Sequence, residues 1–335
     1  MLYGRYQFTC RMETGAILPA YKGSTLRGVF GHALKRVVCA LRRQECKTCI
    51  LKKRCIYPIV FETPLAVDMP EGSRVSHPPH PFVIEPPDTE QMEYRPGETL
   101  TCRLVLFGEV NNNLPYFVYA FQQMGRIGIG KRVNGKRGRF VLEEVRNGRK
   151  VLYSEKDGKL DLAGDPEDLT LVDPDAVNAP RTVAGGRKET LSAVAPAAVD
   201  GNGMKIRVAL QTPLRVKFEN EIKADLPFHV LARAMLRRMS SLCNTWGHGE
   251  PDLDYRGLIR RAGHVRVIEN RLRWFDWRRY SNRQERRMFM GGMLGSIVYA
   301  GNLGEFLPLL DFCEKVHLGK NTSFGLGKIR VRDAG

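Results

Sequence analysis

The chain opens on alternation. Tyr6, Phe8 and Cys10 are interleaved with Arg5, Gln7 and Thr9, the period of two that predicts a strand with one buried face. A helix signal follows, with Ser24 as expected N-cap. At 3.6 residues per turn Leu26, Val29, Phe30, Ala33, Leu34, Val37, Val38 and Leu41 fall on one stripe, and His32 lies on the opposite face.

The second half repeats the scheme. Met204, Ile206, Val208 and Leu210 alternate with polar residues, and Asp225 and Pro227 then start a helix carrying Phe228, Leu231, Met235, Met239 and Leu242 on one face. Val265 and Val267, then Leu272 and Trp274, flank an expected tight turn at Glu269-Asn270. GGMLGSIVYAG reads as a buried strand, Glu305 to Glu314 as a short helix irregular at Pro308, and Lys328 to Val331 as the last strand. The order is β-α-β-β-α-β with one extra strand, so the expected class is α+β, with two tandem ferredoxin-like (RRM-like) domains.

Length agrees: 335 residues suit two domains. The stretch between the halves, GDPEDLTLVDPDAVNAPRTVAGGRKETLSAVAPAAVDGNG, reads as a linker or mobile loop, so the boundary is placed near residue 200, giving domains 1–200 and 201–335. Nine prolines between Pro58 and Pro96 predict an extended loop covering one edge of the first domain.

Charge narrows the partners. With 53 Lys and Arg against 36 Asp and Glu, the formal net charge of +17 calls for a polyanion, and by itself allows RNA, DNA or a membrane surface. No apolar run reaches the ~18 residues of a membrane span, and Met1 to Arg5 lacks the apolar stretch of a signal peptide, so a cytoplasmic protein without a membrane is expected.

GKNTSFGLGKI, Gly319 to Ile329, lies between a predicted helix and the final strand. Gly319, Gly325 and Gly327 are expected at positive φ, presenting backbone N–H groups to phosphates, with Lys320, Thr322, Ser323 and Lys328 adding donors. The segment Gly125 to Lys131 superficially satisfies GxxxxGK, but Arg132 stands where a phosphate loop needs Ser or Thr. A predicted helix (Tyr116 to Met124) also precedes it and a strand (Arg139 to Val145) follows, the reverse of a nucleotide-hydrolase loop. Each half therefore ends in a helix, a glycine loop and a strand, and Lys131 and Arg132 are the first half's counterparts of the C-terminal cations.

From Arg256 to Arg287 there are eleven Arg and no Lys, interleaved with Trp274, Phe275, Trp277 and Tyr280; Arg278, Arg279 and Arg283 are the candidates for phosphate contact. Planar forks beside aromatic rings suit single-stranded or hairpin RNA. On the first helix, Gly28 leaves space beside His32, while Lys35 and Arg36 should lower its pKa and stabilise charge on a phosphate. His317, beside the glycine loop, is the next candidate base. Cys39, Cys46, Cys49 and Cys55 give C-x6-C-x2-C-x5-C, a four-Cys insertion whose thiolates the neighbouring cations should favour. Structural zinc is the first expectation and an iron–sulfur cluster the alternative.

Together these motifs resemble the CRISPR-associated repeat-processing endoribonucleases, the sixth Cas protein family of the RAMP superfamily. The match is carried by GSTLRGVFGHALKRVVCALRRQECKTCILKKRCIYPIVFE, HPPHPFVIEPP, RRYSNRQERRMFMGGMLGSIVYAG and HLGKNTSFGLGKIRV. The resemblance implies metal-independent cleavage of CRISPR repeat RNA by 2′-hydroxyl attack, leaving a 2′,3′-cyclic phosphate, a 5′-hydroxyl and mature crRNA. It places the catalytic His at His32, with Tyr21 and Lys35 assisting, and other Cas subunits of an effector complex as further partners. A non-catalytic RAMP subunit that only binds RNA is the alternative it allows. A zinc-dependent DNA-binding regulator would leave the paired glycine loops unexplained.

Overall fold

The computed structural model describes residues 1–42, 44–71, 73, 77–162, 166–169, 203–216, 225–276, 278–281 and 286–335. The chain divides into two compact units: Met1–Asp168 with Ser240–Glu250 and Val316–Lys328, and Leu169–Met239 with Pro251–Lys315 and Ile329–Gly335. Segment 316–328, which holds most of the C-terminal glycine motif, thus belongs to the first unit. Most of the expected linker, residues 170–202, lies outside the described residues; its Glu167–Asp168 pairs with Leu2 and Tyr3 as a short strand.

In the first unit the long elements run strand Leu2–Met12 (β1), helix Gly23–Val38 (α1), strands Phe82–Glu85 and Thr99–Phe107, helix Leu114–Ile127 and strand Phe140–Asn147. β1 lies in the middle: Phe8 faces Cys102 on one side and Val145 on the other, both antiparallel, with Phe82–Glu85 and Lys150–Ser154 outermost. The expected alternation holds, since Tyr6, Phe8 and Cys10 are buried and Arg5 is exposed. Both helices pack on that buried face. Phe8 stacks on Phe121 at 4.0 Å between ring centroids, and Phe30 of α1 stands 5.3 Å from the same ring and 5.9 Å from Phe117. Burying such rings supplies most of the drive that fixes helices on the sheet.

The second half of the chain repeats the order with strand Met204–Leu214, helix Phe228–Trp246, whose last turns from Ser240 on belong to the first unit, strands Arg266–Asn270 and Arg273–Phe275, strand Gly292–Gly301, helix Leu307–Val316 and strand Ile329–Asp333. Val208 pairs with Ile297 on one side and Val331 on the other, again antiparallel. The expected helix face, Phe228, Leu231, Met235, Met239 and Leu242, is buried throughout.

Several expectations change. The N-cap position of α1 falls on Lys22, not Ser24, and makes no side-chain capping bond; the Lys22 side chain is buried and donates to the carbonyls of Ala20 at 3.0 Å and Thr89 at 2.9 Å. Leu41 lies beyond the helix end and is exposed, so the apolar stripe closes sooner than its spacing implied. No tight turn pairs Val267 with Leu272: Arg266–Asn270 and Arg273–Phe275 lie one after the other along Gly292–Gly301, and Leu272 N–H donates to Asn270 Oδ1 at the break. The proline-rich stretch includes two short helices, Ile56–Phe61 and Thr63–Ala66, and its Phe82–Glu85 is a fully buried strand. Pro64 sits in the first turn of its helix, where the missing N–H costs nothing.

Candidate functional site

α1 positions the first group of candidate residues. Its inner stripe fixes the rotation, so Gly28, His32 and Arg36 face solvent. Space above Gly28 is open. The His32 imidazole is held below its ordinary value by partial burial first, then by Arg36, Arg137 and Lys35. The expected direction holds, with burial ahead of charge among its causes. Lys35 extends over the Tyr57 ring, 5.3 Å from its centroid. Tyr21 stands before the helix, eleven residues ahead of His32, which lies roughly 14 Å of helix rise beyond Gly23, and the Tyr21 hydroxyl donates to Phe324 O at 2.8 Å. Burial pushes that hydroxyl well above the usual phenol range.

Arg137, absent from the sequence expectations, comes from a hairpin. Strands Ile129–Val133 and Lys136–Gly138 pair across Asn134 and Gly135, whose φ values of 50° and 77° match the primed turn that Asn-Gly favours. That dipeptide was the available signal. Lys131 and Arg132 are exposed on the hairpin, as expected for RNA contacts. Between Ile129 and Arg139 there is no acidic residue, and α1 has none either. Arg139 lies 3.9 Å from Glu13, whereas Arg36, Lys131, Arg132, Lys136 and Arg137 have no ion pair among the described residues. Some cations elsewhere in the unit are paired, Arg11 with Glu143 and Arg5 with Glu85 among them.

The C-terminal glycine motif takes the expected backbone, with Gly319, Gly325 and Gly327 at φ 75°, 83° and 74°. Its second half, however, is turned into the protein. Ser323, Gly325 and Gly327 are buried, and a Cβ on Gly325 would stand 2.4 Å from Ile84 O. Ser323 Oγ accepts from Arg27 Nε at 3.0 Å, and Arg27 lies 4.3 Å from the Phe324 ring centroid. Lys320 is exposed, Thr322 half-buried, and Lys328 half-buried at 3.4 Å from Asp88.

Beneath the loop His317 is wholly buried, with Nε2 3.0 Å from Glu85 Oε1 and Nδ1 3.1 Å from Leu326 O. Both ring nitrogens face acceptors, an arrangement that a ring donating from both satisfies in full. Burial would raise the Glu85 carboxyl, but the hydrogen bond and charge of His317, with Arg5 and Lys328, outweigh it and hold it well below the usual carboxylate range. His317 therefore lies where no substrate reaches it in this conformation. Nothing in the sequence marked Glu85, one of several acids in a proline-rich stretch.

The remaining candidates divide. Arg278 and Arg279 lie on strand Arg278–Ser281, paired with Arg286–Phe289, and Arg283 lies outside the described residues. Cys39, Cys46, Cys49 and Cys55 are free and half-buried, close enough for their charges to influence one another. Burial pushes the Cys46 and Cys55 thiols up and outweighs the opposing pull of Lys35, so the expected thiolate stabilisation does not dominate. Among the described residues, no three His, Cys, Asp or Glu side chains stand in a metal-holding arrangement. No described helix is long and apolar enough to cross a membrane.

Fold and site define a two-unit antiparallel α/β protein with a basic, carboxylate-poor face on its first unit. Residues 208–329 match the family model of the CRISPR-associated endoribonuclease Cas6, and residues 1–164 match a model described as an N-terminal domain. That similarity to the CRISPR-associated Cas6 endoribonucleases covers little more than a third of the chain. An uncharacterized protein of Archaeoglobus fulgidus is 25% identical over 319 residues, covering 94% of this chain and 93% of that one. Among solved structures, a partial Cas6-RT-Cas1–Cas2 complex superposes over 99% of this chain with TM-score 0.56 and 14% identity. This chain spans only 46% of the length of that one. A Cas6 product complex gives TM-score 0.51 at 13% identity over 99% of both chains, and Thermus thermophilus Cas6 gives 0.50 at 12% over 99% of this chain and 98% of that one. These likenesses are of fold.

Proposed function

We propose that the chain binds CRISPR repeat RNA and cuts precursor crRNA within the repeat, on the surface of α1 and the Ile129–Gly138 hairpin of its first unit. The observation that carries this reading is an exposed imidazole held toward its neutral form, ringed by cations that no carboxylate among the described residues neutralises. The β-α-β-β-α-β order and matching strand order in both units support two tandem ferredoxin-like domains, with the four-Cys segment inserted after α1.

In the reaction His32 takes the proton of a 2′-hydroxyl, and the 2′-oxygen attacks the adjacent phosphorus. The P–O5′ bond breaks, a proton reaches the departing 5′-oxygen, and a 2′,3′-cyclic phosphate and a 5′-hydroxyl result. Lys35, Arg36 and Arg137 lie near enough to influence His32 electrostatically and would stabilise the developing phosphorane charge. Tyr21 would assist only after leaving Phe324 O. Lys131, Arg132, Lys320, Thr322 and Lys328 would hold the backbone on the first unit; Arg278, Arg279 and Arg283 are proposed separately as RNA contacts of the second. Ser323, Gly325 and Gly327 would shape the loop from inside.

The four cysteines are the soft donor type that tetrahedral zinc takes, though they do not stand in a metal-holding arrangement, and we assign them a structural ion that would draw them together, with an iron–sulfur cluster as the alternative. Metal analysis of the purified protein separates the two. One observation favours a second reading, a non-catalytic RNA-binding subunit working with other Cas proteins: Tyr21 is committed to the glycine loop and Lys35 to Tyr57. Incubation with the chain's own repeat RNA, with mapping of product ends, decides between them. A cyclic phosphate at one position supports the enzyme, and tight binding without any product supports the subunit.

A further inference from the structure

Helix Leu114–Ile127 lies beside α1 on the same sheet. Its inner face, Phe117, Phe121 and Met124, is fully buried and completes the core. Its outer face carries Tyr116 and Tyr119, 49% and 48% exposed, followed along the same side by Gln123 and Arg126. A spacing of three puts the two tyrosines on one surface. Among the described residues neither hydroxyl has a hydrogen-bond partner, so two half-exposed rings are displayed whose hydroxyls anchor nothing.

The surroundings indicate what the rings meet. The helix has no acidic residue, like α1 and the hairpin that directly follows it. Arg126 and the hairpin's Lys131, Arg132, Lys136 and Arg137 have no ion pair among the described residues. Aromatic faces beside unneutralised cations suit a chain with anionic phosphates and flat bases, and fit an acid-free protein surface poorly. We propose that Tyr116 and Tyr119 form a base-stacking platform for single-stranded RNA, extending the His32 surface. This inference rests on the RNA-binding reading above.

The test measures binding of a labelled short oligoadenylate RNA and of an abasic chain of equal length by fluorescence anisotropy, for wild type, Tyr116→Ala with Tyr119→Ala, and the paired Phe variants. Stacking on one base is worth enough that the Ala pair should weaken oligoadenylate binding by roughly tenfold or more. Affinity for the abasic chain should be unchanged, and the Phe pair should bind like wild type. Equal losses on both probes, or no loss on either, overturn the platform. Repeat RNA is the control arm: if wild type fails to bind it, the underlying reading falls and the platform with it. If wild type binds it while the tyrosine variants match wild type on oligoadenylate, the platform alone falls.

Discussion

His317 Nε2 lies 3.0 Å from Glu85 Oε1 with the two side chains 0% and 3% exposed, joining the segment that carries the glycine motif to the edge strand Phe82–Glu85 within one unit. Removing one partner of such a buried pair leaves a charge without compensation, at a cost of about 3–5 kcal/mol. His317→Ala and Glu85→Ala should each lower the urea midpoint strongly, and together they should cost less than the sum of the two.

The same pair sets a pH dependence. The folded Glu85 carboxyl is depressed below its ordinary value of 4.5, so its contribution is present above that value and is lost as pH falls toward the folded one. Wild type should lose stability between neutral pH and the acid range with a steeper slope than Glu85→Gln. Identical slopes in urea titrations would show that Glu85 is not the group responsible.

Loop geometry gives a third expectation. Gly325 combines φ 83° with a site where a Cβ would stand 2.4 Å from Ile84 O, so Gly325→Ala should destabilise the first unit by about 1–3 kcal/mol. RNA affinity measured well below the melting temperature should change little, because this part of the loop is turned inward. A large loss of affinity with unchanged stability would instead make the Gly325 backbone a direct RNA contact.

Hairpin cations should show their role through salt. Replacing Lys131, Arg132 and Lys136 together by Ala should reduce the slope of log affinity against log salt by about 2, near 0.7 per phosphate contact on a single strand. An unchanged slope would remove the hairpin from the interface.

Much of the fold was legible because it depends on periodicity. The alternation in Leu2–Met12 and Met204–Leu214 and the apolar faces of α1 and Phe228–Trp246 each have a core to satisfy. What escaped depends on long-range contact. Lys22 is buried at the start of α1 with its ammonium on Thr89 O, far along the chain, and Arg273–Phe275 continues a strand because Gly292–Gly301 offers it a partner. Of the site, His32 and its exposure could be read from one helix, but Arg137 needed the hairpin and Glu85 needed His317. Gly325 and Gly327 had the right φ values for a different reason: close packing rather than an open cradle.

For His32 itself, a base with a lowered pKa predicts cleavage that rises with pH and levels off below 6.5, its ordinary value. A profile still climbing well above that value would point to another base.

The most direct measurement is single-turnover cleavage of the chain's own repeat RNA in excess EDTA, with wild type beside His32→Ala. Wild type should cut at one position and yield a cyclic phosphate, while His32→Ala should bind the RNA equally well and cut roughly 100- to 10,000-fold more slowly. Undiminished cleavage by His32→Ala, or loss of wild-type cleavage on chelation, would contradict metal-independent catalysis by this residue.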